Sequence, residues 1–262
     1  MKIVIITMED PVYTIDFIKE IIRHRADDIV GLTIARGGRF KIGEKRSRIV
    51  YLVSLMLIMG IPIFLEYGLK TIGYRLRKKL PLGSDASLAG FAGRYDIPVD
   101  FTDDPNSSVY LDKLKKLTPD VIINQSQFII KKELLSIAPL GILNRHNALL
   151  PRNRGRLTPF WVLFKREKET GVSIHFVEES IDSGAIVVQK RFVVERGETF
   201  ASLAHKNYIY APKAMLEALD KLERGDTDYL PNPDPEATYN TVPTLKQSFE
   251  YRLMRIRRRL RI

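Results

Sequence analysis

The chain opens on Lys2–Thr7, β-branched almost throughout, which predicts a buried strand. From about Val12 to His24 the period changes: Tyr13, Phe17, Ile18, Ile21 and Ile22 recur at helical spacing. Ile29–Ala35 returns to an apolar, β-branched run that Arg36-Gly37-Gly38 closes. Strand, helix and strand in this order predict a parallel pair joined by a right-handed crossover. The alternation continues with a short helix over Asp85–Tyr95, a strand over Ile97–Phe101, a helix over Ser108–Leu117 and a strand over Pro119–Asn124. That last strand is apolar nearly throughout, as buried parallel strands are. Lys131–Ile137 reads as helix, and Gly141–Leu143 leads into a further strand. Val172–Val177 and Ala185–Val194 predict a strand pair around a turn, and Thr199–Leu222 a long amphipathic helix. Residues 225–244, rich in Pro, Asp, Asn and Thr, read as a loop or linker. The expected fold is α/β and Rossmann-like: a mostly parallel central sheet flanked by helices, with an apolar helical insertion and a short C-terminal extension. The expected division is one domain over 1–224, with the insertion at about 41–82, followed by 225–262.

Two segments stand outside this alternation. Residues 49–65 carry no charge and approach the length of a membrane span, with basic clusters on both sides. Gly60 and Pro62 interrupt the run near its end. The strands before and after it belong to one sheet, so both flanks lie on the same side of any membrane, which disfavours a single crossing. Three readings remain: a helical insertion buried on the domain, an element lying in a membrane interface, or a homodimer contact. Burial or coverage by a partner is the commoner fate of apolar helices. In the tail, Phe249, Leu253, Ile256 and Leu260 form one helical stripe, with Arg252, Arg255, Arg257, Arg258, Arg259 and Arg261 around it. A basic amphipathic helix of this kind suits a membrane surface or a nucleic acid, and a solvated, fraying terminal helix is the plainer alternative.

The net charge of +11 comes from 42 basic and 31 acidic residues. The excess is concentrated in Lys41–Arg48, Lys70–Lys79 and Arg252–Arg261, which points to an anionic partner. The absence of cysteine excludes disulfides, thiolate nucleophiles and cysteine-ligated zinc. It suits a cytoplasmic protein, with the two unusual segments allowing a peripheral position at the inner membrane face. The N-terminal apolar run is too short for a signal peptide.

The chemistry concentrates where the strand after Gly141 ends. In Gly141-Ile-Leu-Asn-Arg-His-Asn-Ala-Leu-Leu-Pro151, an amide and an imidazole stand two residues apart. Positions i and i+2 of an extended segment share a face, so Asn144 and His146 can enter one pocket. Asp182 follows in Ile181-Asp182-Ser183-Gly184, where the plainer alternative is an ordinary Asx-turn. An amide, an imidazole and a carboxylate converging on one point suit acyl transfer: one group manages protons, one orients the base, one donates to a developing oxyanion.

Asn144-x-His146, Leu149-Leu150-Pro151, Arg154-Gly155, Thr170-Gly171-Val172 and Asp182-x-Gly184, in this order, resemble the formyltransferases that use 10-formyltetrahydrofolate. The resemblance is strong over roughly residues 90 to 210 and looser before. The family includes methionyl-tRNA formyltransferases, glycinamide ribonucleotide formyltransferases and the N-formyltransferases of nucleotide-linked amino sugars. Each motif alone is weak, whereas five in register are specific. The resemblance implies that Asn144 donates to the formyl oxygen, that His146 assists proton removal from an attacking amine, and that Asp182 holds His146 and helps order a water. An imidazole titrates near neutral pH, which suits that task. It implies donor contacts along Gln125, Ser126, Gln127 and Phe128, with Ile181 and Gly184 at the Asp182 turn. It implies acceptor contacts from Arg154, Gly155 and Trp161, the arginine suiting a phosphate-bearing substrate. Trp161, the one tryptophan, equally suits packing. Asn147 and Ala148 depart from the small residue and serine usual before Leu-Leu-Pro. His175 carries no expected role.

The expected activity is formyl transfer from 10-formyltetrahydrofolate to a primary amine, without a metal. Ala237-Thr-Tyr-Asn-Thr-Val-Pro243 loosely resembles the tail of sugar formyltransferases and favours a nucleotide-linked amino sugar. Methionyl-tRNA is the runner-up, supported by the basic charge; the formyltransferases of that class usually carry a C-terminal barrel. A non-catalytic membrane-associated binding protein is the alternative of a different class.

Overall fold

A computed structural model of the chain describes residues 1–36, 48–78 and 87–260. Gly37-Gly38, the basic residues of 41–47, residues 79–86 and Arg261 lie outside the described residues. Seven strands form one sheet: β1 (Ile3–Thr7), β2 (Ile29–Ala35), β3 (Val99–Thr102), β4 (Val121–Gln125), β5 (Ile142–His146), β7 (Glu169–Phe176) and β8 (Ile186–Val193). A second, two-stranded sheet pairs β6 (Arg154–Gly155) with β9 (Tyr239–Asn240). The large sheet runs β3-β2-β1-β4-β5-β7-β8. Its first five strands are parallel, and β7 and β8 are antiparallel additions at one edge. The Rossmann-like, mostly parallel sheet expected from the alternation is therefore what forms.

The β-strand period sorts the core. Ile3 and Ile5 of β1 pack with α1 (Thr14–Arg25), α4 (Leu88–Gly93) and α8 (Phe200–Glu223). Val4 and Ile6, one residue out of phase, pack with α5 (Ser108–Leu117) and α6 (Lys132–Leu135) on the other face. α1 starts two residues later than its periodicity suggests, because the Asp10 carboxylate accepts from the amides of Val12 and Tyr13 and shapes the turn before it. α8 starts at a reciprocal cap. Thr199 Oγ1 accepts from the Ser202 amide at 3.0 Å, and Ser202 Oγ from the Thr199 amide at 2.8 Å. Such a cap contributes about 1 kcal/mol.

The charge-free run is two helices. α2 (Arg48–Met59) ends at Gly60, whose φ of +89° favours glycine, and α3 (Ile61–Lys78) restarts with Pro62 in its first turn. α2 turns Ser54 and Ile58 inward and packs on α9 (Leu245–Leu260), whereas α3 buries none of its residues. Of the three readings of the run, burial on the domain thus holds for one face of α2 only. Ile58 joins a third core cluster with Phe160 and Trp161 of α7 (Thr158–Phe164), Phe200, Leu203 and Tyr251. Periodicity did not reveal α7, which is seven residues long and apolar all round. Among the described residues no helix is long and apolar enough to cross a membrane.

Residues 225–244 are more ordered than a linker. Leu230 pairs with Ile186, Asp234–Glu236 form a 3₁₀ turn, and β9 lies parallel to β6.

Candidate active site

Because β1, β4 and β5 run parallel, their carboxyl ends open on one edge, the usual ligand position in such sheets. A cleft of about 350 Å³ lies there. Met8 and Asp10 line it after β1, Gln125, Ser126 and Gln127 at and after the end of β4, and Asn144 through Asn147 on and after β5. Gly155 and Asp182 complete the floor, while Phe200, Ala204 and Tyr208 enter from α8 at spacings of four, one helix face.

The register fixes the centre. Asn144 is opposite Asn124 on β4 and His175 on β7, and His146 is opposite Ser173. Asn144 Oδ1 accepts from Gln125 Nε2 at 2.8 Å, so its NH2 edge is turned away from that partner as a donor. His146 is buried, and its Nε2 lies 2.8 Å from the Asn153 carbonyl. A carbonyl only accepts, so Nε2 carries the proton and donates. Nδ1 lies 3.4 Å from Asp182 Oδ2. The other carboxylate oxygen is 3.7 Å from His175 Nε2. Asp182 thus stands between two imidazoles, with its own backbone at φ +52° and the Gly155 amide donating to Oδ2 at 2.8 Å. Burial pushes the Asp182 carboxyl up, but His146, His175 and the Gly155 amide outweigh it and hold the group below the usual carboxylate range. Burial drives the His175 imidazole down to about 4, only partly opposed by Asp182, so it is neutral at physiological pH.

Asn144, His146 and Asp182 therefore come together as the spacing suggested. Gln125, Ser126, Gln127 and Gly155 also line the cleft, whereas Phe128, Ile181 and Gly184 do not. Ile181 is exposed, and Gly184 passes so close to Phe176 that a Cβ would lie 2.2 Å from its carbonyl oxygen. Two acceptor-side expectations are corrected. Arg154 has 0% exposure and spends both terminal nitrogens on the tail: Asp234 Oδ1 at 2.6 Å, the Tyr239 hydroxyl at 2.7 Å, and the Asn232 carbonyl and amide oxygens at 2.8 and 2.9 Å. The pairing explains this: β6 runs beside β9 with Arg154 opposite Tyr239, so the guanidinium meets the tail while the Gly155 amide meets Asp182. Trp161 is a packing residue, set edge-on to Phe160 and Phe164, with Nε1 donating to the Thr241 carbonyl at 2.9 Å.

The cation that lines the cleft is Arg145, which drew no attention in the sequence. It donates to Gln125, Asn147 and Tyr208 and stacks over the Tyr208 ring, itself stacked on Tyr13 at 4.6 Å. The i, i+4, i+8 pattern of Phe200, Ala204 and Tyr208 was a usable signal. No local pattern linked His175 to Asp182, because their meeting depends on the antiparallel register of β5 and β7.

Residues 104–219 match the family model described as formyl transferase. Among solved structures, glycinamide ribonucleotide transformylase 1 from Symbiobacterium toebii is 16% identical, covers 86% of this chain and 88% of its own, and has a TM-score of 0.60. A sugar N-formyltransferase from a Shewanella species is 16% identical, with 97% and 87% covered and a TM-score of 0.57. An N-formyltransferase from Helicobacter canadensis, in complex with folinic acid and dTDP-3-aminofucose, is 15% identical, with 92% and 71% covered and a TM-score of 0.57. At these identities the likeness carries the fold, and the family match spans β5, which holds Asn144 and His146, and the turn that holds Asp182. The chain thus carries a formyl transferase domain over residues 104–219, and it is an enzyme.

Proposed function

We propose that the chain transfers the formyl group of 10-formyltetrahydrofolate to a primary amine, the amino group of a nucleotide-linked amino sugar. The observation that carries the reaction is the convergence of Asn144, His146 and Asp182 in one cleft at the carboxyl ends of the strands. The NH2 of Asn144 donates to the formyl oxygen as it gains negative charge, a contact of a kind that lowers a barrier by about 3 kcal/mol. His146 takes the proton of the attacking amine at Nδ1, since Nε2 is committed to Asn153. Asp182 pairs with the resulting imidazolium. As the new C–N bond forms, the bond from the formyl carbon to N10 breaks, and the proton passes to N10, leaving a formamide and tetrahydrofolate. Gln125, Ser126 and Gln127 are the loop for the folate's pterin, and the cleft volume suits a ring of that size.

The acceptor reading rests on the other wall. The stacked Tyr13 and Tyr208 offer an aromatic platform to a base, and Arg145 beside them offers a cation to its phosphates. The sugar N-formyltransferases among the structural relatives support the same acceptor class. Incubation with 10-formyltetrahydrofolate and, in parallel, nucleotide-linked 3-amino and 4-amino sugars, glycinamide ribonucleotide and charged methionyl-tRNA tests this. Tetrahydrofolate released only with a sugar is expected. Release only with the ribonucleotide or the tRNA overturns the acceptor, and absence of folate binding overturns the reaction.

A further inference from the structure

The cleft chemistry leaves one body of the molecule unused. α2 packs against both α3 and α9, and Arg252 of α9 donates Nε to the Leu57 carbonyl at 2.7 Å. The apolar insertion and the basic tail, nearly two hundred residues apart, are thus one lobe.

The inward face of α3 holds this lobe to the rim of the cleft. Tyr67 meets the hydroxyl of Tyr13, Tyr74 donates to Glu9 Oε1 at 2.8 Å, and Lys78 pairs with the same carboxylate. On the opposite face Ile61, Leu65, Leu69, Ile72 and Leu76 are all exposed, Leu69 by 69%. Spaced four, four, three and four apart, they fall within an arc of about 80° at 100° per residue. α9 adds exposed Phe249, Leu253 and Ile256. The charge around these stripes is predominantly positive: the exposed Glu250 of α9 stands among Lys246 and the arginines. Arg75 and Arg77 on α3 and Arg257 and Arg258 on α9 are exposed, while Glu66, the one acidic residue of α3, is held by Lys70 at 2.7 Å.

We propose that this lobe lays α3 and α9 on an anionic lipid bilayer, the aliphatic stripe of α3 entering the acyl boundary and the arginines meeting lipid phosphates. The charge decides between occupants. A second copy would set like-charged arginines against each other, and a nucleic acid would leave the aliphatic stripe in water. An acidic lipid surface takes both features at once. α2, at 12 residues, is about 18 Å long against a hydrocarbon core of about 30 Å, so the lobe lies on the membrane and does not cross it. Docking places α3 between the lipid surface and the loop after β1, which lines the cleft.

Flotation with vesicles of phosphatidylcholine alone and of phosphatidylcholine mixed with phosphatidylglycerol tests this without reading turnover, so it is separate from the formyl-transfer reading. Wild type is expected to float with the mixed vesicles and roughly tenfold less with the neutral ones. Leu65→Glu/Leu69→Glu/Ile72→Glu, which leaves Tyr67 and Tyr74 in place, is expected to remain unbound with an unchanged melting temperature. Arg75→Ser/Arg77→Ser, which alters exposed charge only, keeps the question open to test if the triple variant fails to fold; it is expected to float less. No flotation of wild type overturns the proposal, as does equal flotation on both vesicles or of both variants with wild type. A wild-type dimer in light scattering that the triple variant abolishes gives the stripe to a second copy and overturns it too.

Discussion

Arg154 and Gly155 are neighbours on one two-residue strand, yet they serve two regions built to opposite ends. On the Arg154 side, a buried guanidinium makes four hydrogen bonds of 2.6–2.9 Å that clasp residues 232–239 to the domain. On the Gly155 side, Asp182 faces two imidazoles at 3.4 and 3.7 Å, and His175 Nε2 is buried without a hydrogen-bond partner among the described residues. Polar groups satisfied by short bonds hold a fold together, whereas polar groups gathered at longer range and shifted in pKa remain available for chemistry. The difference teaches that a cation in a family motif is not by itself a substrate contact: the pairing of β6 with β9 decides which region it joins.

The sharpest way to break this comparison is Asp182→Ala. On the cleft side, loss of the carboxylate removes the partner of the imidazolium and should lower kcat by about a thousandfold. The clasp is untouched, so the circular dichroism spectrum should stay near that of wild type, while the urea midpoint should fall modestly because the Gly155 amide loses its acceptor. Turnover within tenfold of wild type would remove Asp182 from the reaction.

What the sequence disclosed follows the same division. Asn144 and His146 could be placed together because a strand has a period of two, and Asp182 because its turn matches a motif. The parallel sheet was legible because its strands are apolar runs separated by helical periods. Arg154 was misread because β6 is two residues long and its partner, Tyr239–Asn240, comes some eighty residues later. Nothing local marks a strand so short. Trp161 suits either an acceptor contact or packing in the sequence, because α7 gives no period to decide between them. The 49–65 run was legible as apolar and broken at Gly60. Which of its faces is covered depends on α9, far along the chain, and no local pattern contains that.

Arg154→Ala tests the other side. Removing the guanidinium leaves the Asn232 carbonyl and the Tyr239 hydroxyl short of a donor. The Asp234 carboxylate is 77% exposed and returns to water, so its share of the loss is small. A loss of about 2 kcal/mol is expected, or a fall in Tm of roughly 4–8 °C for a chain of this length. The acceptor KM should remain within about twofold of wild type. A raised KM with unchanged Tm would move Arg154 from the clasp to the acceptor side.

The smallest effect sharpens the comparison within the cleft, between its two histidines' shared carboxylate and the silent member of the set. Burial holds the His175 pKa at about 4 in the folded chain, against about 6.5 for an unperturbed imidazole. As pH falls, the unfolded chain therefore takes up the proton first. The associated stability is complete above about pH 6.5 and is lost as the pH falls toward about 4. Between about pH 7 and pH 5.5 the loss is on the order of 1 kcal/mol. Asp182, with its pKa lowered, acts in the same direction but in a more acidic window: its contribution is complete above the unfolded carboxylate value and is lost only as pH falls through the lower folded one. His175→Gln should thus flatten the change in urea midpoint between about pH 7 and pH 5.5 and leave the more acidic loss in place. An unchanged slope would mean that His175 is protonated in the folded chain, and Asp182 would then be flanked by a charge and not by a neutral ring.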